Sequence, residues 1–189
     1  SDDDDAPITP PSGDPTIADL VTENEQFSSL LAALVRTDLV TPFVGGSGDL
    51  TVFAPTNDAF STFLEDNGFS SLEEVPESLL REILLNHVVN GRVLAADLTT
   101  GYVNSLGTGS ASESTLSLFI NTDGGVAISG VSNVTTADIL ATNGVVHEVN
   151  AVIGLPSVTT QAIANPQFST LVSALIAAST DQTNYVDIL

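Results

Sequence analysis

The chain contains no cysteine, no methionine, no tryptophan and no lysine. Without cysteine, disulfides, thiolate nucleophiles and cysteine-ligated metals are excluded. The missing methionine includes position 1, so the chain is expected to begin after processing, and no uncleaved signal peptide is recognisable. Without lysine, the only fixed cations are Arg36, Arg81 and Arg92, set against 24 acidic residues for a formal net charge of −21. Such a surface repels phosphate backbones and anionic lipid, which removes nucleic acid from the expected partners. It suits high salt or divalent cations, and it also serves plain solubility. Aromatic side chains are few. With no tryptophan and only Tyr102 and Tyr185 as tyrosines, an aromatic platform for sugars is poorly provided, although hydrogen-bonded sugar contacts are not excluded. No apolar run is long enough to span a membrane. Hydrophobic residues nevertheless make up 42% of the 189, enough for one good core.

Read in order, Ser1-Asp2-Asp3-Asp4-Asp5 opens an acidic, proline-rich tail over residues 1–15 that has nothing to bury and is expected to be disordered. Asp14-Pro15 can start a helix whose apolar face is Ile17, Leu20 and Val21. Asn24 can cap a second helix carrying Phe27, Leu30, Leu31, Leu34 and Val35 at spacings of three and four. Gly45-Gly46-Ser47-Gly48 reads as a loop. Thr51-Val52-Phe53 has strand character, Pro55 stops it, and Thr56 or Asn57 can cap a helix with Asp58 in its first turn. Ser71 with Glu74 matches a capping box, and Pro76 precedes a helix with the stripe Leu80, Ile83, Leu84, His87 and Val88, with Glu77 and Arg81 spaced to pair. From Arg92 onward valine, threonine and glycine dominate. Short strands are expected near Tyr102–Leu106, Leu116–Ile120, Val126–Ser129, Val134–Ile139 and Val145–Val152, with a hairpin loop at Asn121–Gly125. Helices first and strands later indicate an α+β fold.

Three stretches carry a family signature. They are Thr51-Val52-Phe53-Ala54-Pro55-Thr56-Asn57-Asp58-Ala59-Phe60, then Leu84-Leu85-Asn86-His87-Val88-Val89, then Asn143-Gly144-Val145-Val146-His147-Glu148-Val149-Asn150-Ala151-Val152-Ile153-Gly154-Leu155-Pro156. In this order they resemble the first homology box, the central Tyr-His motif and the second homology box of the fasciclin (FAS1) domain, over residues 16–157. The resemblance implies a wedge-shaped fold, a β-sandwich-like core of short strands with helices packed along one side. It gives Thr56, Asn57, Asp58, Asn143, Gly144 and His147 structural roles. It makes Asn86, His87, Val88 and Val89 the candidate partner-binding residues, because the central motif is an integrin-contact region in animal members. Here Asn86 stands where the family carries tyrosine, and Asn150 where the second box often ends in aspartate.

Beyond Pro156 the chain repeats its beginning. Asn165-Pro166-Gln167-Phe168-Ser169-Thr170-Leu171-Val172-Ser173-Ala174-Leu175 parallels Asn24-Glu25-Gln26-Phe27-Ser28-Ser29-Leu30-Leu31-Ala32-Ala33-Leu34. Residues 158–189 are therefore expected to be the start of a second, truncated domain of the same kind, opening with a helix near Phe168–Ile176.

Catalytic signatures are lacking. His147-Glu148 has no second histidine at zincin spacing, and Gly45-Gly46-Ser47-Gly48-Asp49 misses the nucleophile elbow at its last residue. There is no Walker loop, dinucleotide fingerprint or EF-hand loop. His87 and His147 both lie on apolar faces and are expected to be buried without a metal, since no third ligand is signalled. Asn133-Val134-Thr135 fits the N-glycosylation pattern. Neither catalysis nor a cofactor is expected. The resemblance implies an extracellular adhesion or interaction module that mediates cell–cell or cell–matrix contact through a surface or matrix protein. A polysaccharide-binding accessory lipoprotein is the alternative. The Ser-Asp-Asp-Asp-Asp start resembles the export signal that follows the lipidated cysteine of some bacterial surface lipoproteins. This places the protein at the outer cell surface, with a lipid anchor upstream of Ser1 as its only membrane contact and a second FAS1 domain in the full-length protein.

Overall fold

The computed structural model describes residues 15–45, 48–108, 114–155, 167 and 169–178. The acidic tail before Pro15, the centre of the glycine loop and most of the segment after Leu155 lie outside these residues.

The amino-terminal third is helical. Helix α1 (Ile17–Glu23) is closed by a capping box between Thr16 and Asp19, so the helix begins two residues after Pro15 rather than at it. The Thr16 hydroxyl and amide bonded to Asp19 hold that carboxyl below its usual range. Asn24 caps the short 3-10 turn Glu25–Phe27, which runs directly into α2 (Ser28–Arg36). Phe27, Leu30 and Leu34 are buried, as the helical spacing requires, whereas Val35 is 63% exposed at the edge of the stripe. Helix α3 (Val40–Gly45) precedes strand β1 (Leu50–Pro55), and α4 (Asn57–Asp66) follows at once. Ser71 and Glu74 do not close a reciprocal box: the Glu74 carboxylate accepts from the Ser70 amide instead.

Helix α5 (Glu77–Asn86) ends earlier than its apolar stripe suggests. His87 is its C-cap, and Val88 begins a strand, β2 (Val88–Asn90). The remaining strands are β3 (Gly101–Asn104), β4 (Ser117–Asn121), β5 (Ala127–Ile128), β6 (Ser132–Ala141) and β7 (Gly144–Val149). They form one seven-stranded sheet in the order β2-β1-β7-β6-β5-β4-β3. All neighbouring strands are antiparallel except β1 and β7, which run parallel with Leu50 opposite Gly144 and Val52 opposite Val146. The two homology boxes are therefore adjacent strands. The sheet curls until its edges touch. Val89 of β2 bridges Ser105, and the Leu106 amide donates to the Val88 carbonyl at 2.8 Å. Curling covers both edges, which would otherwise offer free backbone groups to another chain.

Strand alternation sends successive side chains to two different cores. Val52 and Ala54 of β1 join Val146 of β7 against α1, α2, α4 and α5. Phe53 and Val149 face the other way, into the space enclosed by the curled sheet, with Leu118, Ile120, Ile128 and Ile153. This is the expected α+β wedge, a β core with helices along one side. The last described element, α6 (Ser169–Ala178), falls on the helix expected near Phe168–Ile176.

Candidate functional site

The family-motif residues are brought together as a set of bolts between elements distant in sequence. Thr56 caps α4 by accepting the Ala59 amide, and its own amide donates to the Val149 carbonyl, tying the first box to the second. Asn57 reaches across to α2, which has no side-chain cap of its own. Its Oδ1 accepts the Ser29 amide at 2.9 Å and the Ser28 hydroxyl at 3.2 Å, and its Nδ2 donates to the Glu25 carbonyl at 2.9 Å. A residue of one helix thus satisfies amides that another helix leaves orphaned. Asp58 is exposed in the first turn of α4, where its charge opposes the positive end of the helix.

Asn143 does for α1 and α3 what Asn57 does for α2. Its Oδ1 accepts the Ile17 amide at 2.9 Å, its Nδ2 donates to the Phe43 carbonyl at 2.7 Å, and its carbonyl accepts the Leu50 amide at 3.0 Å. Asn143→Ala strands the first two of these partners, each only partly reachable by water. The expected loss is about 2–3 kcal/mol of stability, with faster amide exchange at Ile17. Chemical denaturation and hydrogen exchange check the two parts separately.

The two histidines are closed to chemistry by their own hydrogen bonds. The Ile153 amide can only donate, so His87 Nε2 accepts from it at 2.8 Å and Nδ1 carries the proton, donating to the Ile83 carbonyl at 2.7 Å. Burial pushes the His87 pKa down to about 4, with the Ile83 bond opposing the shift. By the same logic His147 accepts the Asp138 amide on Nδ1 at 3.1 Å and donates from Nε2 to the Val93 carbonyl at 2.9 Å, while its ring stacks on Phe53 at 5.6 Å. The β6 bulge that holds Asp138 at a φ of 57° is what turns its amide toward the ring. Among the described residues no group of three metal-ligating side chains is assembled.

The central stretch lies inside the domain. Asn86 is fully buried, with Oδ1 accepting from the Ser105 hydroxyl at 2.8 Å and Nδ2 donating to the Gly154 carbonyl at 3.0 Å. His87 and Val88 are buried too, and only Val89 is partly accessible. As partner-binding residues, Asn86, His87 and Val88 are therefore out of reach in the folded domain. Their side chains tie α5 and β2 to the end of the second box. Asn86 and His87 end helix α5 where the chain turns directly into β2, and the segment after β7 packs over that turn, with Ile153 and Gly154 bonded to their side chains.

Two clefts are lined by the described residues. A polar one of about 460 Å³ is lined by Gln26, Thr56, Asn57, Asp58, Thr135, Glu148 and Asn150, where the two boxes meet solvent. Glu148 is braced at its mouth by Gln26 Nε2 at 2.6 Å and Thr135 Oγ1 at 2.7 Å. No feature of the sequence announced this cleft, because its residues come from four separate stretches. A second, more apolar cleft of about 550 Å³ lies between α4 and α5. All three arginines are engaged with backbone carbonyls: Arg36 with Leu72 and Glu73, Arg81 with Thr37, and Arg92 with Ala141 and Thr142. The sparse positive charge thus fastens loops and leaves the acidic surface largely uncompensated. Among the described residues no helix is long and apolar enough to cross a membrane.

Comparison with known proteins gives the same outline. The family model of the Fasciclin domain matches residues 25–156. Protein sll1483 of Synechocystis sp. is 39% identical over 138 residues, covering 73% of this chain and 72% of its own length. Transforming growth factor-beta-induced protein ig-h3 of Sus scrofa is 32% identical over 150 residues, 79% of this chain but 20% of the larger protein. Among solved structures, a FAS1 domain pair from the insect cell adhesion molecule Fasciclin I superposes with a TM-score of 0.60 at 20% identity, over 88% of this chain and 57% of that one. The chain thus spans about one fifth of the mammalian relative and little more than half of the insect pair.

Proposed function

The chain belongs to the fasciclin domain family, and from that footing we propose that it is a non-enzymatic, extracellular adhesion or interaction module, carried on a cell surface by an anchor upstream of Ser1 and meeting a surface or matrix protein. One observation carries the reading: the two histidines of the motifs, with Asn86 and Asn143, are spent on holding the fold. His87 and His147 have both ring nitrogens occupied by backbone groups, and Asn57, Asn86 and Asn143 bridge elements distant in sequence. A general base needs a free lone pair within reach of substrate, and neither ring offers one. What remains for function is surface. The relatives support a contact role: the structural neighbour comes from an insect cell adhesion molecule, and its paired domains support a tandem arrangement.

The contact surface is assigned to the polar cleft rather than to Asn86–Val89, since the cleft is open and the central stretch is not. The same cleft favours polysaccharide as the second reading. Its amide, hydroxyl and carboxylate groups suit hydrogen bonding to sugar hydroxyls, although it lacks an aromatic floor. The test presents the full chain to whole cells, to a panel of matrix proteins and to a glycan array. The expected outcome is retention on a protein partner, weakened by salt because the net charge of −21 contributes through screened interactions. Retention on glycans alone establishes the second reading, and turnover of any bound ligand refutes both.

A further inference from the structure

The turn between β5 and β6 holds a strained and unsatisfied residue. The Val131 amide donates to the Ile128 carbonyl at 3.1 Å, so Ile128-Ser129-Gly130-Val131 closes a tight turn, with Ser129 at a φ of 51° and Gly130 at 68°. Two left-handed central residues are the geometry that glycine, asparagine and aspartate adopt readily. A serine held there carries conformational strain. The strain does not bring its side chain a hydrogen bond. Ser129 is 3% exposed, and its hydroxyl has no partner among the described residues. Buried polar groups are nearly always paired, and one that is not calls for an explanation.

Ser129 stands in the wall of the apolar cleft between α4 and α5. Phe63 of α4 and Ile83 of α5 line the same cleft, together with Val131 from the turn and Val152 from the segment after β7. The cleft measures about 550 Å³. That lies within the range of about 300–1,000 Å³ that receives a whole small molecule, and apolar walls with a few polar groups are the makeup of such sites. Val131 is 50% exposed, so the cleft is reached from solvent. Its one charged lining residue is Asp66, which is exposed, and no arginine lines it. In a chain carrying −21 charges, this wall repels anions and offers them no counter-charge.

We propose that the cleft between α4 and α5 binds an uncharged amphiphile, a small molecule with an apolar body and a hydrogen-bonding head that partners the Ser129 hydroxyl. A hydroxyl can donate or accept, so an ester, carbonyl or alcohol on the ligand satisfies it. The walls supply the apolar cover. The cleft shares no lining residue with the polar one, so this site is independent of the adhesion reading.

Fluorescence titration of the full 189-residue chain with N-phenyl-1-naphthylamine, an uncharged apolar dye, tests it. Monodecanoylglycerol and decanoate serve as competitors, on the wild type and on Ser129→Ala and Val131→Asp, whose thermal transitions report that they are folded. The wild type is expected to bind the dye saturably and to release it to monodecanoylglycerol at least roughly tenfold more readily than to the anion. Val131→Asp is expected to lose dye binding. Ser129→Ala is expected to bind monodecanoylglycerol about fivefold more weakly, the worth of one hydrogen bond, while its ligand-free urea midpoint does not fall. No saturable dye binding by the folded wild type overturns the site. Equal displacement by the two competitors, or unchanged glyceride binding by Ser129→Ala, overturns the ligand class. A lower midpoint for ligand-free Ser129→Ala shows the hydroxyl already satisfied in the empty domain and overturns its part in the site. Dye binding that disappears as the chain dimerises in sedimentation overturns the small-molecule site and gives the cleft to a second copy.

Discussion

Gly144→Ala is expected to leave the chain largely unfolded under conditions in which the wild type is stable. A Cβ built at Gly144 falls 1.9 Å from the Leu50 carbonyl oxygen and 2.9 Å from Ile17 Cδ1. The first of these atoms belongs to the backbone of the neighbouring strand and has no rotamer to escape into. Nor can β1 withdraw, because Leu50 pairs with Gly144 in the parallel ladder and its amide is bonded to the Asn143 carbonyl at 3.0 Å. The φ of 153° adds conformational strain for any residue with a Cβ. Separating β1 from β7 opens both cores at once, since Val52 and Phe53 on the moving strand face opposite ways. The expected cost exceeds about 4 kcal/mol, a large part of the stability of an ordinary domain. Urea denaturation measures it. Gly154→Ala is the control, because nothing lies within 4 Å of its added methyl, and its midpoint should barely move. A Gly144→Ala chain within 1 kcal/mol of wild type would show that the two strands are not held as described.

The local chemistry around Gly144 was open to reading, and its parallel register against Leu50 was not. Val145, His147 and Val149 alternate along an apolar strand, and all three are buried, with His147 stacked on Phe53 and Val149 in the core enclosed by the curled sheet. The α+β layout and the burial of both histidines follow from apolar periodicity and the family pattern, and two apolar strands that each need cover explain why the boxes are neighbours. The strand Val88–Asn90 did not follow. Leu84, His87 and Val88 continue a helical spacing, three residues are too few to show alternation, and no breaker stands before Asn90-Gly91. Only tertiary pairing with Thr51 and Val52 decides that Val88 is strand. Likewise, an asparagine before a helix suggests a cap, but sequence alone attaches Asn57 to its own helix. Thr56 takes that cap, and Asn57 serves α2 instead because of how the two helices cross in space. The clefts were illegible for the same reason: each gathers side chains from segments that only the fold brings together.

His87 should make the domain sensitive to mild acid. Its folded-state pKa lies at about 4, below the ordinary value of 6.5, because burial penalises the charged ring. Between these two values the unfolded chain binds a proton that the folded chain does not. Acidification through pH 6.5 to 4 therefore draws the equilibrium toward the unfolded state, and stability rises as pH rises across the same window. The full difference amounts to roughly 3 kcal/mol, with a slope approaching 1.4 kcal/mol per pH unit near pH 5. Exposed carboxylates work against this at the lower end, where their protonation relieves the repulsion of a chain carrying −21 charges. The local consequence is specific. A proton on Nε2 of His87 would meet the Ile153 amide head-on, so the connection between the central motif and the segment after β7 must break before the ring is charged. Isothermal urea titrations from pH 7 to pH 4.5 should show the midpoint falling with acid. His87→Gln cannot take up a proton, so its midpoint should start lower at pH 7 and stay nearly flat over that range. A variant slope equal to that of the wild type would assign the acid response to other groups and remove His87 as its origin.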